Sequence, residues 1–385
     1  MKPSGEADSR KLARMPAPFT FYEFFAGGGM ARLGLGEGWR CSFAVDFDAA
    51  KAAAYRANHG DDHLRHGDVW ALDTADLPGR ADLAWASSPC QDLSLAGARA
   101  GLSGGRSSAF WGFWRLMEGL YGEGRAPRTI VIENVVGLLT SDGGADFAAL
   151  CEALAGLGYR FGALEVDAAL WSPQSRPRVF VVASLDPAAG PAGPAAFHTP
   201  AIAAAFERLP EALKARWVWW PLAAPARRNT TVADLLEPEA PWFPPERTER
   251  LLALMNPANR LKLEAARAGG GRRIGMAYRR VRVEGGERVQ RAEVRFDGLA
   301  GCLRTPAGGS SRQFVVEVEG DRTRARLLTA REAARLMGLP DSYVLPRAQT
   351  AALKLCGDGV VVPVVRALAE QVLAPLLRGD RAAAA

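Results

Sequence analysis

Short apolar runs alternate with segments of helical periodicity between residues 18 and 185. The runs that predict buried strands are Thr20–Phe25, Ser42–Asp46, Ala81–Ala86, Thr129–Ile132 and Val179–Val182. Helical patterns lie between them, for example from Phe147 to Leu157. Strands that alternate with helices predict an α/β fold with a mostly parallel, doubly wound, Rossmann-like sheet.

The pattern changes after Leu185, where proline, alanine, glycine and arginine become frequent and no regular periodicity is evident. This stretch is too long for a loop, and its aromatic residues predict a second, smaller and irregular domain: Trp217, Trp219, Trp220, Trp242 and Phe243. A helix returns at Leu328–Gly338, with Thr329 as its N-cap, and the last helix runs from about Pro363 to Leu377. The predicted parts are a disordered lead-in (1–17), the main domain (18–185), the second domain (186–325) and a return to the main domain (326–385).

A glycine-rich turn follows the first predicted strand, at Phe25-Ala26-Gly27-Gly28-Gly29. Glycines between a strand and a helix let the backbone approach a ligand closely, but the spacing is not that of a dinucleotide fingerprint. Asp46 ends the second strand and is placed to accept hydrogen bonds from ribose hydroxyls, and Asp68 is placed to accept from an adenine amino group. These features suit S-adenosylmethionine, a nucleoside with a positive sulfonium and no phosphates.

Cys90 lies between Pro89 and Gln91, and a lone cysteine of this kind is usually a small buried hydrophobe. Its neighbours favour a nucleophile instead. Glu133 follows the strand Thr129–Ile132, at the edge where open α/β sheets place their ligands, although a loop-capping acid would look the same. Arg176 and Arg178 alternate before the next strand and are predicted to point to one side, toward a phosphate or a base oxygen. A thiol, an acid and two guanidiniums are what methylation of cytosine at carbon 5 requires.

The bulk composition narrows the class of protein. The 385 residues carry a formal net charge of +6, which favours a polyanionic partner, and 48% of them are hydrophobic, enough for a sizeable core. Five scattered cysteines favour a reducing compartment over a disulfide framework. The sequence shows no signal-peptide core and no membrane-length apolar run, and the spacing of His59, His63 and His66 does not suit a metal site.

The motifs, taken in order, resemble those of the bacterial DNA cytosine-5 methyltransferase family. The matching segments are Phe24–Gly29, Pro89-Cys90-Gln91, Glu133-Asn134-Val135, Gln174–Arg178, Arg331–Asp341 and Gly357–Val360. The resemblance implies S-adenosylmethionine as the cofactor and a flipped-out cytosine held beside Cys90. It also makes the second domain a target-recognition domain.

The resemblance assigns roles to individual residues. It implies a catalytic role for Cys90, Glu133, Arg176 and Arg178. It implies cofactor binding by Phe25, Ala26, Gly27, Gly28, Gly29, Met30, Asp46, Phe47, Asp68, Val69, Pro89, Asp358 and Val360. DNA binding is expected at Gln91, Ser94, Arg304, Thr305, Gly308, Gly309, Ser310, Arg312 and Gln313. The last seven lie in the candidate base-reading loop 304–313, and a run of arginines between 272 and 282 is expected to meet phosphates.

Three positions depart from the family pattern. Glu23-Phe24-Phe25 replaces the usual Asp-Leu-Phe, and Cys302-Leu303 replaces a Thr-Leu pair. Asp358 stands where the family has asparagine. If it lies beside the sulfonium, its carboxylate would favour the positive cofactor and disfavour an acidic analogue.

Two other functions stay open on the sequence alone. One is an RNA cytosine-5 methyltransferase on the same scaffold, which the long recognition segment disfavours. The other is a non-catalytic DNA-binding relative, which the intact motifs disfavour. The expected partner is double-stranded DNA, and the sequence leaves open whether a cognate restriction endonuclease exists on another chain. Monomeric action in the cytoplasm, at the nucleoid, is expected.

Overall fold

The computed structural model describes residues 18–89, 109–186, 193–305 and 312–379. Within them, a seven-stranded sheet forms the centre of the larger domain. Its strands are β1 (Phe19–Phe24), β2 (Trp39–Asp46), β3 (Leu64–His66), β4 (Leu83–Ala86), β5 (Thr129–Asn134), β6 (Arg160–Asp167) and β7 (Pro177–Ser184). The predicted lead-in 1–17 lies outside the described residues.

The strand order is β3-β2-β1-β4-β5-β7-β6. Strands β1 to β5 pair in parallel, whereas β7 is antiparallel to both β5 and β6. The prediction of a mostly parallel, doubly wound sheet is therefore confirmed. Because the chain leaves β1 and β4 toward opposite edges, the crevice at their carboxyl ends is the place where such sheets bind ligands.

Helices cover both faces of this sheet. Those in its first half are α1 (Met30–Leu35), α2 (Ala49–His59), α3 (Ala109–Gly122) and α4 (Ala145–Gly156). The central strands β1, β4 and β5 are almost entirely buried, which explains why they appear in the sequence as continuous apolar runs. The side chain of Asp48 caps α2 by accepting hydrogen bonds from the Ala50 and Lys51 amides, so α2 begins directly after the end of β2.

The stretch 193–242 differs from its prediction, because much of it packs on the large sheet. It contains the short helices α5 (Pro200–Glu207) and α6 (Glu211–Lys214). The Val218 amide donates to the Phe161 carbonyl of β6, and Trp220 Nε1 donates to the Val182 carbonyl of β7 at 3.0 Å. These aromatic residues therefore belong to the core of the larger domain, and the assignment of Trp217, Trp219 and Trp220 to a separate domain was wrong.

The second domain contains regular structure, contrary to the irregular fold expected. Its elements are helices α7 (Pro245–Ala253) and α8 (Pro257–Ala268) and strands β8 (Arg272–Glu284), β9 (Glu287–Arg295), β10 (Gln313–Glu319) and β11 (Arg322–Leu327). The strands form an antiparallel sheet of order β11-β10-β8-β9. Leu251, Leu263, Val294 and Phe314 help to form a separate core beneath it. Strand β11 continues past residue 325, the expected domain boundary.

The chain then returns to the large domain through helices α9 (Ala330–Leu336), α10 (Gln349–Asp358), α11 (Val362–Leu368) and α12 (Ala374–Arg378), with a π-helical turn at Ala369–Leu373. Thr329 caps α9 as predicted, in a reciprocal box with Glu332. The helical stretch Gln349–Arg378 is long and apolar enough to cross a membrane, but 67% of its most apolar window is buried in the protein. It is a core element that packs against α1.

Candidate active site

The glycine turn after β1 has the backbone conformation that its sequence predicted. Phe25, Gly27 and Gly29 have φ angles of 57°, 56° and 77°. A positive φ is costly for a bulky residue such as Phe25, and strained backbone of this kind is concentrated at functional sites. The Gly27 amide donates to Asp46 Oδ2 at 2.8 Å, and the Asp48 amide donates to Asp46 Oδ1 at 2.8 Å. Asp46 therefore joins the turn to the end of β2.

Two side chains from distant parts of the sequence lie behind this turn. Tyr343 Oη donates to the Gly28 carbonyl at 2.6 Å, and a Cβ at position 28 would lie 2.3 Å from that oxygen. A Cβ at position 29 would lie 2.4 Å from the His59 ring. Both positions thus need glycine for close packing. Sequence reasoning missed Tyr343, since no local pattern connects it with the turn.

The residues expected around the cofactor lie at the carboxyl ends of β1, β2 and β3. Phe47 follows β2 and is 76% exposed, an unusual environment for an aromatic ring, and the carboxylate of Asp46 lies beside it in the chain. Asp68 accepts from the Trp70 amide at 3.0 Å, which leaves its second oxygen without a protein donor among the described residues, and Val69 is buried next to it.

Some of the predicted cofactor residues are buried in the core. Met30 is 2% exposed and packs against Gly359, so its side chain does not reach the ligand side of the turn. The prediction of a cofactor contact by this side chain is corrected. Ala26 and Val360 are 7% and 4% exposed and belong to the core of the large domain. Pro89 is exposed directly before Cys90.

Asp358, whose carboxylate was expected to favour a positive cofactor if it lies beside the sulfonium, has partners within the protein. Its Oδ2 lies 2.6 Å from Lys51 Nζ, and its Oδ1 accepts from Thr305 Oγ1 at 2.5 Å. A second ion pair, Lys354 Nζ to Asp48 Oδ2 at 2.6 Å, joins the same two helices, α10 and α2. The negative charge of Asp358 is therefore neutralised within the protein, and Thr305 is bound to it.

Glu133 and Arg178 form the charged centre at the end of β5. Arg178 Nε lies 3.1 Å from Glu133 Oε1, and Glu133 is 6% exposed. Burial raises the pKa of Glu133, although the Arg178 and Arg176 guanidiniums and a hydrogen bond from Ser87 oppose the rise. A carboxyl group of this kind favours its protonated form more than an exposed glutamate does, and it can donate a proton to a ligand nitrogen.

Asn134 connects this centre to the segment that precedes Cys90. Its Nδ2 donates to Ser88 Oγ at 3.2 Å, and its Oδ1 accepts from the Val135 amide at 2.8 Å. Asn134 therefore joins the segments that follow β4 and β5, and Cys90 comes two positions after Ser88 in the sequence. Cys90, Gln91 and Ser94 themselves lie outside the described residues.

Arg176 has a different role from the one predicted. Its guanidinium is 2% exposed and donates to the carbonyls of Leu303, Gly357 and Gly359 at 2.7–2.9 Å. Burial lowers the pKa of this arginine. It therefore joins Leu303 and the last motif to the start of β7, whereas Arg178 forms the ion pair with Glu133.

The candidate base-reading loop is only partly as expected. Arg304 is exposed at its start, but Gln313 is only 5% exposed, and its amide bonds to the backbone: Nε2 donates to the Gly301 carbonyl at 2.7 Å and Oε1 accepts from the Gly301 amide at 3.0 Å. The prediction that Gln313 reads bases is therefore corrected. Arg312 has two buried nitrogens without a hydrogen-bond partner among the described residues. Gly308, Gly309 and Ser310 lie outside the described residues.

A buried hydrogen-bond network, which the sequence did not reveal, lies beneath the glycine turn. Glu23, 1% exposed, accepts from the Arg32 amide at 3.2 Å and from Tyr55 Oη at 3.3 Å. Tyr55 Oη also lies 3.2 Å from His63 Nε2. Burial raises the pKa of Glu23 to about 8. The glutamate that replaces the family's usual aspartate is thus part of a buried polar network, and His63 belongs to that network.

The sequence of the chain is similar to those of known DNA methyltransferases. The family model described as C-5 cytosine-specific DNA methylase matches residues 19–374. The Type II methyltransferase M.NlaX of Neisseria lactamica is 28% identical over 362 residues, 93% of this chain and 97% of that protein. M.HpaII of Haemophilus parainfluenzae is 27% identical over 376 residues, which cover 93% and 90% of the two chains.

Solved structures show the same fold. The Dnmt2 methyltransferase of S. pombe superposes with a TM-score of 0.61 at 18% identity, over 93% of this chain and 99% of that one. A putative DNA modification methyltransferase encoded within a prophage (E. coli) has a TM-score of 0.54 at 17% identity, over 94% and 99%. With the family model matching nearly the whole chain, the protein belongs to the C-5 cytosine-specific DNA methylase family and is a methyltransferase.

Proposed function

We propose that this enzyme methylates carbon 5 of a specific cytosine in double-stranded DNA, in the cytoplasm, with S-adenosylmethionine as the cofactor. The contact that carries the proposal is the pair Glu133–Arg178 beside Asn134, which is bonded to the segment leading to Cys90. This arrangement supports a site in which a proton donor and a guanidinium act together with the predicted thiol. A target base in a duplex has to leave the stack to reach them.

The residues at the glycine turn fit S-adenosylmethionine. The backbone at Gly27 is open, because a Cβ there would meet no atom within 4 Å. Asp46 offers carboxylate oxygens for ribose hydroxyls, and the exposed ring of Phe47 suits stacking on adenine. When bound, the cofactor would supply an electrophilic methyl group on sulfur.

The chemistry asks the protein for a nucleophile, a proton donor, a group that orients this donor, and a base. The Cys90 thiolate adds to C6 of the cytosine, while Glu133 donates a hydrogen bond or proton to N3 and so accommodates the electron pair that moves into the ring. Arg178 orients Glu133 and is placed to contact the base oxygen. When bound, the cofactor would supply the methyl group to C5. The C5 proton would then leave to a base, the bond from the Cys90 sulfur to C6 would break by elimination, and the N3 proton would return to Glu133, which restores the aromatic ring and the thiolate.

Base-resolution methylation sequencing tests the reaction directly. DNA from a methylation-free bacterial host that expresses the chain should carry 5-methylcytosine in one short sequence, and DNA from a host with Cys90→Ala should carry none. Cys151→Ala, on the buried face of α4, is the matched control for loss of a thiol and should retain methylation. Soluble wild-type protein that leaves DNA unmodified in the host and in vitro would contradict the proposal, and RNA would then be the substrate to test.

A trapping experiment tests the covalent step. A duplex with 5-fluorocytosine at the target position lacks a removable proton at C5, so elimination cannot follow methyl transfer. We expect a protein–DNA adduct that survives denaturing electrophoresis and maps to Cys90. Methylation of ordinary DNA without any adduct on the fluorinated duplex would contradict the assigned role of Cys90.

A further inference from the structure

The hairpin of β8 and β9 extends well beyond the sheet to which it belongs. Strand β10 pairs with β8 only up to Tyr278, whereas β8 and β9 stay paired as far as Glu284 and Glu287. Residues 279–291 thus form a two-stranded projection, which we call the ribbon. Its turn is Gly285-Gly286, with φ angles of 58° and 87°, as tight hairpins require.

The dimensions of the ribbon match those of a DNA groove. Six residues of β8 project beyond the last pairing with β10, which gives a reach of about 20 Å. A two-stranded antiparallel ribbon is one of the two protein elements that the major groove of B-form DNA admits.

The two faces of the ribbon carry different side chains. On one face, the arginines are occupied by acids: Arg282 pairs with Glu293 and Arg291 pairs with Glu284. On the other face, the cross-strand pairs are Val281 with Gln290 and Val283 with Arg288. No acid lies opposite these residues, and Arg288 has no ion pair among the described residues.

The second face is unusually apolar for an exposed surface. Val281 is 49% exposed and Val283 is 72% exposed. An uncovered pair of valines on a projecting two-stranded element is an aggregation hazard, which natural sheets normally avoid with charged residues. A partner that contacts this face would account for the two valines.

The position of the ribbon indicates what that partner is. The edge of β8 borders a cleft of about 520 Å³ that also contains Ser175 and Pro177, the residues that lead to Arg178. The cleft is lined by five arginines and by no acid among the described residues: Arg279, Arg280, Arg282, Arg295 and Arg304. A polyanion that lies in this cleft would contact both the ribbon and the start of β7, which carries Arg178.

We propose that the ribbon enters the major groove of the DNA substrate and reads its sequence through Val281, Val283, Arg288 and Gln290. This inference rests on the proposed function. It moves the main base-reading element from the loop 304–313 to the ribbon. The side chains are of the types that recognise base edges, since arginine pairs with guanine, glutamine pairs with adenine, and valine contacts a thymine methyl group.

The proposal is tested by measuring whether ribbon variants change the DNA sequence preference of methylation. A library of duplexes with randomised positions around the target cytosine is methylated in vitro, and the products are sequenced at base resolution. The proteins compared are the wild type, Arg288→Ala, Gln290→Ala and the double variant Val281→Ser/Val283→Ser. Arg322→Ala is the matched control, an exposed arginine on β11, at the opposite edge of the same sheet. Thermal unfolding verifies that each variant is folded.

We expect each ribbon variant to lose preference at one or two base-pair positions, by roughly 5- to 150-fold, while its preference at the others is kept. Arg322→Ala should methylate with the wild-type preference. Ribbon variants that keep the wild-type preference, with or without a uniform loss of rate, would overturn the proposal. A wild type that methylates no duplex would contradict the proposed function itself, and this outcome is distinguishable because it does not depend on the ribbon.

Discussion

The carboxyl edge of the large sheet and the ribbon of the small sheet use charged residues in opposite ways. At the large sheet, Glu133 and Glu23 are almost fully buried, and burial raises the pKa of both. On the ribbon, Arg288 is exposed and Arg282 is about half exposed, and neither is held in a low-dielectric site. Chemistry requires groups that are fixed and desolvated, whereas recognition requires groups that DNA can reach. Similar substitutions should therefore have different consequences in the two regions.

The largest difference between substitutions in the two regions is expected in the rate of methyl transfer. Glu133→Gln removes the acidic proton but keeps the shape of the side chain, so we expect the single-turnover rate to fall by about 100-fold or more. DNA and cofactor affinities should change little. Glu293→Gln, the same substitution beside the ribbon, should lower the rate by less than about tenfold. Similar losses in rapid-quench assays of the two variants would show that burial at the large sheet gives Glu133 no special role.

The second difference concerns stability. Arg176→Met leaves three buried carbonyls without their donor and should lower the free energy of unfolding by about 3 kcal/mol. Arg282→Met breaks an exposed ion pair and should cost about 1 kcal/mol or less. Urea unfolding followed by tryptophan fluorescence compares the two. Equal losses of unfolding free energy in the two variants would contradict the assignment of Arg176 as the residue that joins Gly357 and Gly359 to the start of β7.

A third test uses pH, because Glu23 has no counterpart on the ribbon. Its pKa is raised to about 8 in the folded protein, so its contribution to stability is fully present below the unfolded value near 4.5 and is lost as the pH rises toward 8. Arg32, Tyr55, His63, Cys41 and Asp46 surround it.

Between pH 6.5 and 8 the histidines of this network are neutral, since burial lowers the pKa of His59 to about 4 and also lowers that of His63. The free energy of unfolding should therefore fall in this window by up to about 1.4 kcal/mol per pH unit. In Glu23→Gln this slope should disappear, as thermal or urea unfolding at several pH values would show. An unchanged slope in the variant would assign the pH dependence to another group.

The same contrast explains what the sequence could predict. The ends of β1, β2 and β5 were identified because buried strands leave apolar runs and their functional residues follow directly in the chain. The contacts of Arg176 were not predictable, because the three carbonyls lie between 127 and 183 positions further along the chain. Gln313 was misassigned for a related reason, since the Gly301 backbone that it bonds to lies 12 positions earlier in the chain.

Strand β8 of the small sheet escaped prediction because most of it is exposed. Strand β8 is buried only in its middle, at Gly275–Ala277, and both of its faces are exposed in the ribbon. No alternation of apolar and polar residues can mark a strand without a buried face, so the arginine-rich run was interpreted as irregular. For Trp217, Trp219 and Trp220 the error was different. Their apolar character was recognised, but the sequence did not show that they pack on the large sheet.

Substitution of Asp358 should have the smallest effect of these changes, here on cofactor affinity. Its side chain is 33% exposed, and it bonds to Lys51 on α2 and to Thr305, which precedes β10. Asparagine can still accept from Thr305, and loss of a partly exposed ion pair costs about 1 kcal/mol or less. Asp358→Asn should therefore change the affinity for S-adenosylmethionine by less than about fivefold. Asp46→Asn, which alters the carboxylate that holds the Gly27 amide, should weaken binding by more, as calorimetric titration would measure. If Asp358→Asn weakened binding as much as Asp46→Asn, the Asp358 carboxylate would act on the cofactor despite its pairing with Lys51, and the site would depend on a charge that the ion pair does not neutralise.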